Sequence, residues 1–200
     1  YTGNVTLLNG QRLLGSGSSL ITPQGAVRPV LNGAGITLAD GNTIDFIRIQ
    51  GTPGDAIFGN GVNGATISNC EIADLTNVGS GIQDDSATGT WIVNANNITG
   101  TAGVGVEISA GAGDNLTLTV SGNSITGSNP GALTLTALQT ANFVAQVTNN
   151  TTTGSVLTGA TQEYIAANTA RLCLDITGNT NDDTYCFART DATATLEVEQ

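Results

Sequence analysis

The sequence predicts an all-β chain wound as a single-stranded parallel β-helix, a solenoid of about six to seven coils. Three observations predict it. Nearly the same nine residues occur twice, as "VNANNITGT" at 93–101 and "VSGNSITGS" at 120–128. Apolar residues alternate between turn signals, as in "LTLTVSG" (116–122) and "ALTLTAL" (132–138), which is the period of a strand buried on one face. Several residue types also recur in columns that keep a common spacing, the mark of a stacked array.

The first column is the apolar residue of each turn: Ile49, Ile72, Ile98, Ile125 and Thr152, separated by 23, 26, 27 and 27 residues. Five positions upstream stand Ile44, Ile67, Val93, Val120 and Val147, and Ile176 extends that column after a gap of 29. Two positions before the turn residue the series reads Ile47, Cys70, Asn96, Asn123, Asn150 and then Asn179, an asparagine ladder. A second apolar column follows a small residue: Ile36 after Gly35, Ile57 after Ala56, Ile82 after Gly81, Val106 after Gly105 and Leu133 after Ala132. Sandwiches and closed barrels also use short strands and Gly/Asn turns, but they give no reason for residues to recur in register. A parallel solenoid does, because each strand lies on its counterpart in the next coil, about 4.8 Å away. Stacked Asn side chains then bond along the ladder and are expected to tolerate the left-handed backbone of the bend. The stretch "TQEYIAANTARL" (161–172) has some helical spacing, but comparison with the preceding coil reads it as strand plus turn.

One domain of 200 residues is expected: an N-terminal coil over 1–35, regular coils over 36–160, and a C-terminal coil over 161–200. The final "TLEVEQ" (195–200) is expected to close the last coil. The chain reads as a mature protein or a fragment of a longer one, without a membrane span or intact signal peptide in these residues. Asp and Glu total 16 against five Arg, for a formal charge of −11, which argues against nucleic acid as a partner. There is no Lys, His or Met. That removes the commonest general base and metal ligand, along with Schiff-base and P-loop chemistry.

The in-register columns, the "N-x-I-x-G" turns and the opening "GNVTLLNGQRLLGSGS" (3–18) resemble the right-handed parallel β-helix repeats of the pectin-lyase-like superfamily. More narrowly, they resemble the β-helix segments of large secreted or surface-anchored bacterial proteins. The resemblance implies right-handed winding and an extracellular or cell-surface setting. The superfamily holds lyases, hydrolases, tailspikes, adhesins and passive spacers, so function must be argued from a site.

Asp84 and Asp85, in "GIQDDSA" (81–87), are the candidate catalytic residues, since paired carboxyls can act as acid and base across a glycosidic bond. They resemble the paired-Asp motif of polygalacturonase-type hydrolases, but the rest of that pattern is missing. "GDAIFGN" (54–60) stands where Asn-Thr-Asp would be, and neither Gly-His-Gly nor Arg-x-Lys occurs. The plain alternative is a solvated strand-end turn. A lyase-type calcium site would need a nearby basic residue, yet Arg48 is the only one between Arg28 and Arg171, and its column neighbour Glu71 makes a ladder pair the simpler account.

Asp182 and Asp183 are candidate ligands for calcium, although their spacing fits no calcium loop and a structural turn explains them as well. An ice-binding Thr array is not supported, because the position after the second apolar column reads Thr37, Phe58, Gln83, Glu107, Thr134. Cys173 and Cys186 flank a turn and are the candidate disulfide, which would fit an oxidising setting. Cys70 reads as a buried thiol and Trp91 as core. The expectation is a non-catalytic structural or adhesive module of an extracellular or cell-surface bacterial protein, able to assemble end to end into a fibre and partnered by itself, by other surface proteins or by polysaccharide. The alternatives are a polysaccharide-degrading enzyme and a glycan-binding module.

Overall fold

The computed structural model describes residues 3–15, 28–154, 161–182 and 184–199. Every strand among them lies in one of three parallel sheets, and no helix occurs among the described residues. The first sheet has eight strands, from Val5–Thr6 through Ile82–Asp85 in the middle to Tyr185–Arg189. The second also has eight, from Arg12–Leu14 through Thr88–Asn94 to Thr195–Glu199. The third has seven, from Val30–Asn32 to Thr180–Asn181. The chain visits the sheets in rotation, one strand each per coil, and so makes about seven turns of a β-solenoid.

The columns in the sequence are the registers of these sheets. In the second sheet Ile44 pairs with Ile67, Val93 with Ile67 and Val120, and Val147 with Val120 and Ile176. In the first, Ile82 pairs with Ile57 and Val106, and Val106 with Leu133. In the third, Ile98 lies between Ile72 and Ile125. These side chains all point inward and merge into one core running the length of the solenoid. Burying each Val or Ile contributes roughly 1.5–3 kcal/mol. Trp91 is fully buried between Ala65 and Leu118, and the small Ala65 leaves room for the indole. Its Nε1–H donates to the Val62 carbonyl at 3.2 Å. The segment 161–172 is the strand Gln162–Ala166, a turn, and the start of Arg171–Thr177.

The small residues before the second apolar column have a steric cause. A Cβ on Gly81 would lie 2.4 Å from the Gly105 carbonyl oxygen, and one on Gly105 would lie 2.4 Å from Ile125 Cγ2.

One expectation about the backbone is corrected. The left-handed residue at the bend is not the ladder Asn but the one before it: Phe46, Asn69, Ala95, Gly122, Asn149 and Gly178 all have φ between 52° and 67°. The ladder residues keep ordinary backbone, which leaves their amides aimed along the solenoid axis. The strand Thr195–Glu199 pairs in parallel with Arg171–Asp175 as one more rung of the second sheet.

Candidate functional site

Adjacent residues on a strand face opposite ways, and this decides the fate of the paired aspartates. In the strand Ile82–Asp85, Asp84 points inward and is fully buried, whereas Asp85 points out to solvent. The two carboxyls therefore lie on opposite sides of the sheet and cannot act across one bond. This corrects the expectation of a catalytic pair.

Asp84 sits in a niche cut for it. Its register partner on the preceding coil is Gly59, where a Cβ would lie 2.1 Å from Asp84 Oδ2. The N–H groups of Gly61 and Val62 donate to its two oxygens at 3.3 Å, and the Ser86 N–H donates to Oδ1 at 3.1 Å. Burial pushes its pKa up to about 7, against the pull of the Val62 and Gly61 N–H groups; the charges of Asp85 and Asp114 add to the rise. Asp84 thus ties the Gly59–Val62 turn to the next coil from inside.

Outside the same sheet the strands carry an acidic stripe. Gln83 Nε2 donates to Asp85 Oδ1 at 3.0 Å. Glu107, the register partner of Gln83, accepts from Ser80 Oγ at 3.1 Å. Desolvation raises the Glu107 pKa, the Ser80 bond opposes the rise, and Asp85 and Asp55 reinforce it. Asp55 also lines, with Thr37, Thr52 and Phe58, an open cleft of about 390 Å³ on this side. Among the described residues no group of three or more His, Cys, Asp or Glu is placed to hold a metal ion.

The asparagine column is a continuous hydrogen-bonded ladder. Asn123 Oδ1 accepts from both the backbone N and Nδ2 of Asn96 at 3.0 Å, and Asn123 Nδ2 donates to Val93 O and Asn150 Oδ1 at 2.9 Å. Asn150 repeats the pattern toward Asn179, whose Nδ2 ends on Val147 O at 2.7 Å. At the other end the Cys70 N–H donates to Asn96 Oδ1 at 2.9 Å, and the Cys70 thiol reaches the Ser68 carbonyl at 3.2 Å. Burial pushes that thiol up to about 11, so it is unreactive at neutral pH.

The Cys173–Cys186 bridge is not formed. Cys173 lies in the second sheet between Val144 and Glu197, Cys186 lies in the first beside Glu163, and all three cysteines are free thiols. Thirteen residues carry the chain round a corner to another face of the coil, so the expectation of adjacent strands fails. Cys173 Sγ donates to Glu197 Oε2 at 3.1 Å, and Glu197 also pairs with Arg171 at 2.9 Å. Asp182 accepts the Gly154 N–H at 2.5 Å, as a turn residue would. Asp183 lies outside the described residues. Arg48 and Glu71 are register partners and pair at 3.3 Å.

Sequence reasoning missed a buried polar chain in the last coils. Tyr164 OH donates to Gln162 Oε1 at 2.6 Å, Gln162 Nε2 to Thr152 Oγ1 at 3.1 Å, and Thr152 Oγ1 to Asn181 Oδ1 at 3.0 Å. The signals were Thr152 standing in an isoleucine column and Gln162 following Leu133 in the second apolar column. Three comparisons with known proteins add no relative: no family model, curated protein or solved structure matches the chain.

Proposed function

We propose that this chain is a non-catalytic structural or adhesive rod of an extracellular or cell-surface bacterial protein, of the pectin-lyase-like kind its repeats resemble. One observation carries this reading: parallel ladders fasten each coil to the next in an unbroken stack, and the internal Asn column reinforces the coils from Asn96 to Asn179. Such a quasi-one-dimensional stack holds its ends apart and offers long outer faces, and both properties scale with the number of coils. Asp84, the strongest acid candidate, serves to tie two coils together. The free thiols withdraw the disulfide as an argument for an oxidising setting, so the extracellular placement rests on the resemblance alone.

The test is product analysis on neutral and acidic polysaccharides with the wild-type chain and with Asp84→Asn and Asp85→Asn. The expected result is no new reducing ends and no unsaturated products. Retention of a saccharide without cleavage would move the reading to a glycan-binding module on the Asp55–Asp85–Glu107 face. Cleavage abolished by either substitution would overturn the proposal in favour of a polysaccharide-degrading enzyme.

A further inference from the structure

We propose that the outer face of the second sheet binds ice, through an uncharged array of threonine, isoleucine and valine side chains set at a two-dimensional spacing close to that of the crystal. This goes beyond the rod reading above and does not depend on it.

The four middle strands of this sheet are Asn63–Ser68, Thr88–Asn94, Asn115–Ser121 and Asn142–Thr148, and none of them holds a charged residue, in a chain with 16 acids. Their outward side chains stack in register. Thr66, Ile92, Thr119 and Gln146 form one column, and Thr90, Thr117 and Val144 form the next. Ile92 and Val144 are each 37 % exposed. Beneath them Trp91, Leu118 and Phe143 are fully buried, so the face stands on packed core. The Asn96–Asn123–Asn150 ladder fastens the same coils at the bend that follows, and side-chain ladders of this kind hold stacked sheets flat. The column without a Thr array, from Thr37 to Thr134, belongs to the first sheet, whose outer face also carries Asp85 and Glu107. The third sheet sets Thr99, Thr126 and Thr153 in a column, but on strands only three residues long.

Spacing and charge choose the occupant. Rungs repeat at about 4.8 Å and outward neighbours on one strand at about 6.7 Å, both within roughly a tenth of the oxygen repeats on a prism face of hexagonal ice. A threonine offers such a lattice two things: a hydroxyl that both donates and accepts, and a methyl group that sheds its own water. Charged groups give up their hydration only at a cost of several kcal/mol, so a carboxylate or guanidinium here would keep a water shell that does not fit the crystal. Such groups return only at the neighbouring rungs, with Asp45 on one side and Arg171 and Asp175 on the other. A second copy of the chain fits the face less well. Four rungs of seven residues present about 450 Å², short of the roughly 800 Å² that each partner gives to a stable protein interface.

The experiment grows ice slowly in a dilute solution of the 200-residue chain and compares the protein held in the ice with that left in the liquid, by Trp91 fluorescence after melting. Crystal shape under the microscope is the second readout. The expected result is enrichment of the wild-type chain in the ice and faceted crystals in place of round ones. Thr117 is exposed at the centre of the face, so Thr117→Asp and Thr117→Lys should each lose both effects while circular dichroism stays unchanged. Loss with either sign of charge separates a spoiled lattice from a change in net charge. Thr126→Asp, at an exposed position of the third sheet, should keep both effects. Round crystals and exclusion of the wild-type chain from the ice would overturn the proposal, and so would Thr117 variants that behave like wild type. Exclusion from ice together with a dimer that Thr117→Asp makes monomeric in sedimentation would overturn it too, by assigning the face to a second copy.

Discussion

Removing Asn123 breaks the ladder at a fully buried rung, and the cost follows from its bonds. Asn123→Ala deletes the Oδ1 that accepts from Asn96 N and Nδ2, and the Nδ2 that donates to Val93 O and Asn150 Oδ1. Asn96 Nδ2 keeps Ile67 O, and Asn150 Oδ1 keeps the Asn123 backbone N–H, so those two groups remain partly satisfied. The Asn96 backbone N–H loses its acceptor and Val93 O loses its amide donor, in residues that are at most 2 % exposed. Each buried group left unpaired costs about 1–3 kcal/mol. A loss of about 2–6 kcal/mol is therefore expected in urea unfolding followed by far-ultraviolet circular dichroism, with Trp91 fluorescence as an independent probe of the same core. Asn179→Ala, at the half-exposed end of the ladder where water can replace the amide, is expected to cost less than half as much. A loss under about 1 kcal/mol for Asn123→Ala, or equal losses at the two rungs, would refute the account of the ladder.

Further outcomes follow from the Asp84 niche and from the bends. Asp84 has a folded pKa of about 7 against an ordinary 3.8, so the folded state holds its proton more tightly. Its contribution is fully present below about pH 4 and is lost as the pH rises through about 7, some 4 kcal/mol in all. Thermal unfolding between those limits should show that slope, and Asp84→Asn should flatten it. Gly59→Ala puts a methyl onto Asp84 Oδ2 and should destabilise by about 1–3 kcal/mol. In an Asp84→Ala background the same change should be close to neutral, and a double-mutant cycle reads the difference. Ala95, at φ 53°, carries left-handed strain that glycine lacks, so Ala95→Gly should raise stability by about 0.5–1 kcal/mol in the same urea assay.

The fold was legible in the sequence because a parallel solenoid writes its contacts as a period. Ile44, Ile67 and Val93 touch in space because they recur in the chain, so a column of letters is a column of contacts. Side-chain direction was legible only where neighbours in a column agreed. Asp84 broke its apolar column, and a local motif reading grouped it with Asp85 although alternation puts them on opposite faces. The partner that makes room for Asp84 is a glycine a full coil away, with nothing in its own neighbourhood to mark it. The cysteines failed for a related reason: spacing within one coil says nothing about which of three sheets a residue reaches. The bend was misplaced by one position, because Asn suits both left-handed backbone and ladder bonding, and only the ladder role falls to Asn96 and Asn123.

Single-molecule stretching of the chain between handles at its two ends tests the central claim most directly. If in-register coils are the units that make this molecule a rod, extension should proceed in coil-sized steps of 23–29 residues. Each step should release roughly 80–100 Å of contour at about 3.3–3.6 Å per residue. Smooth extension at low force, without steps of that size, would contradict it.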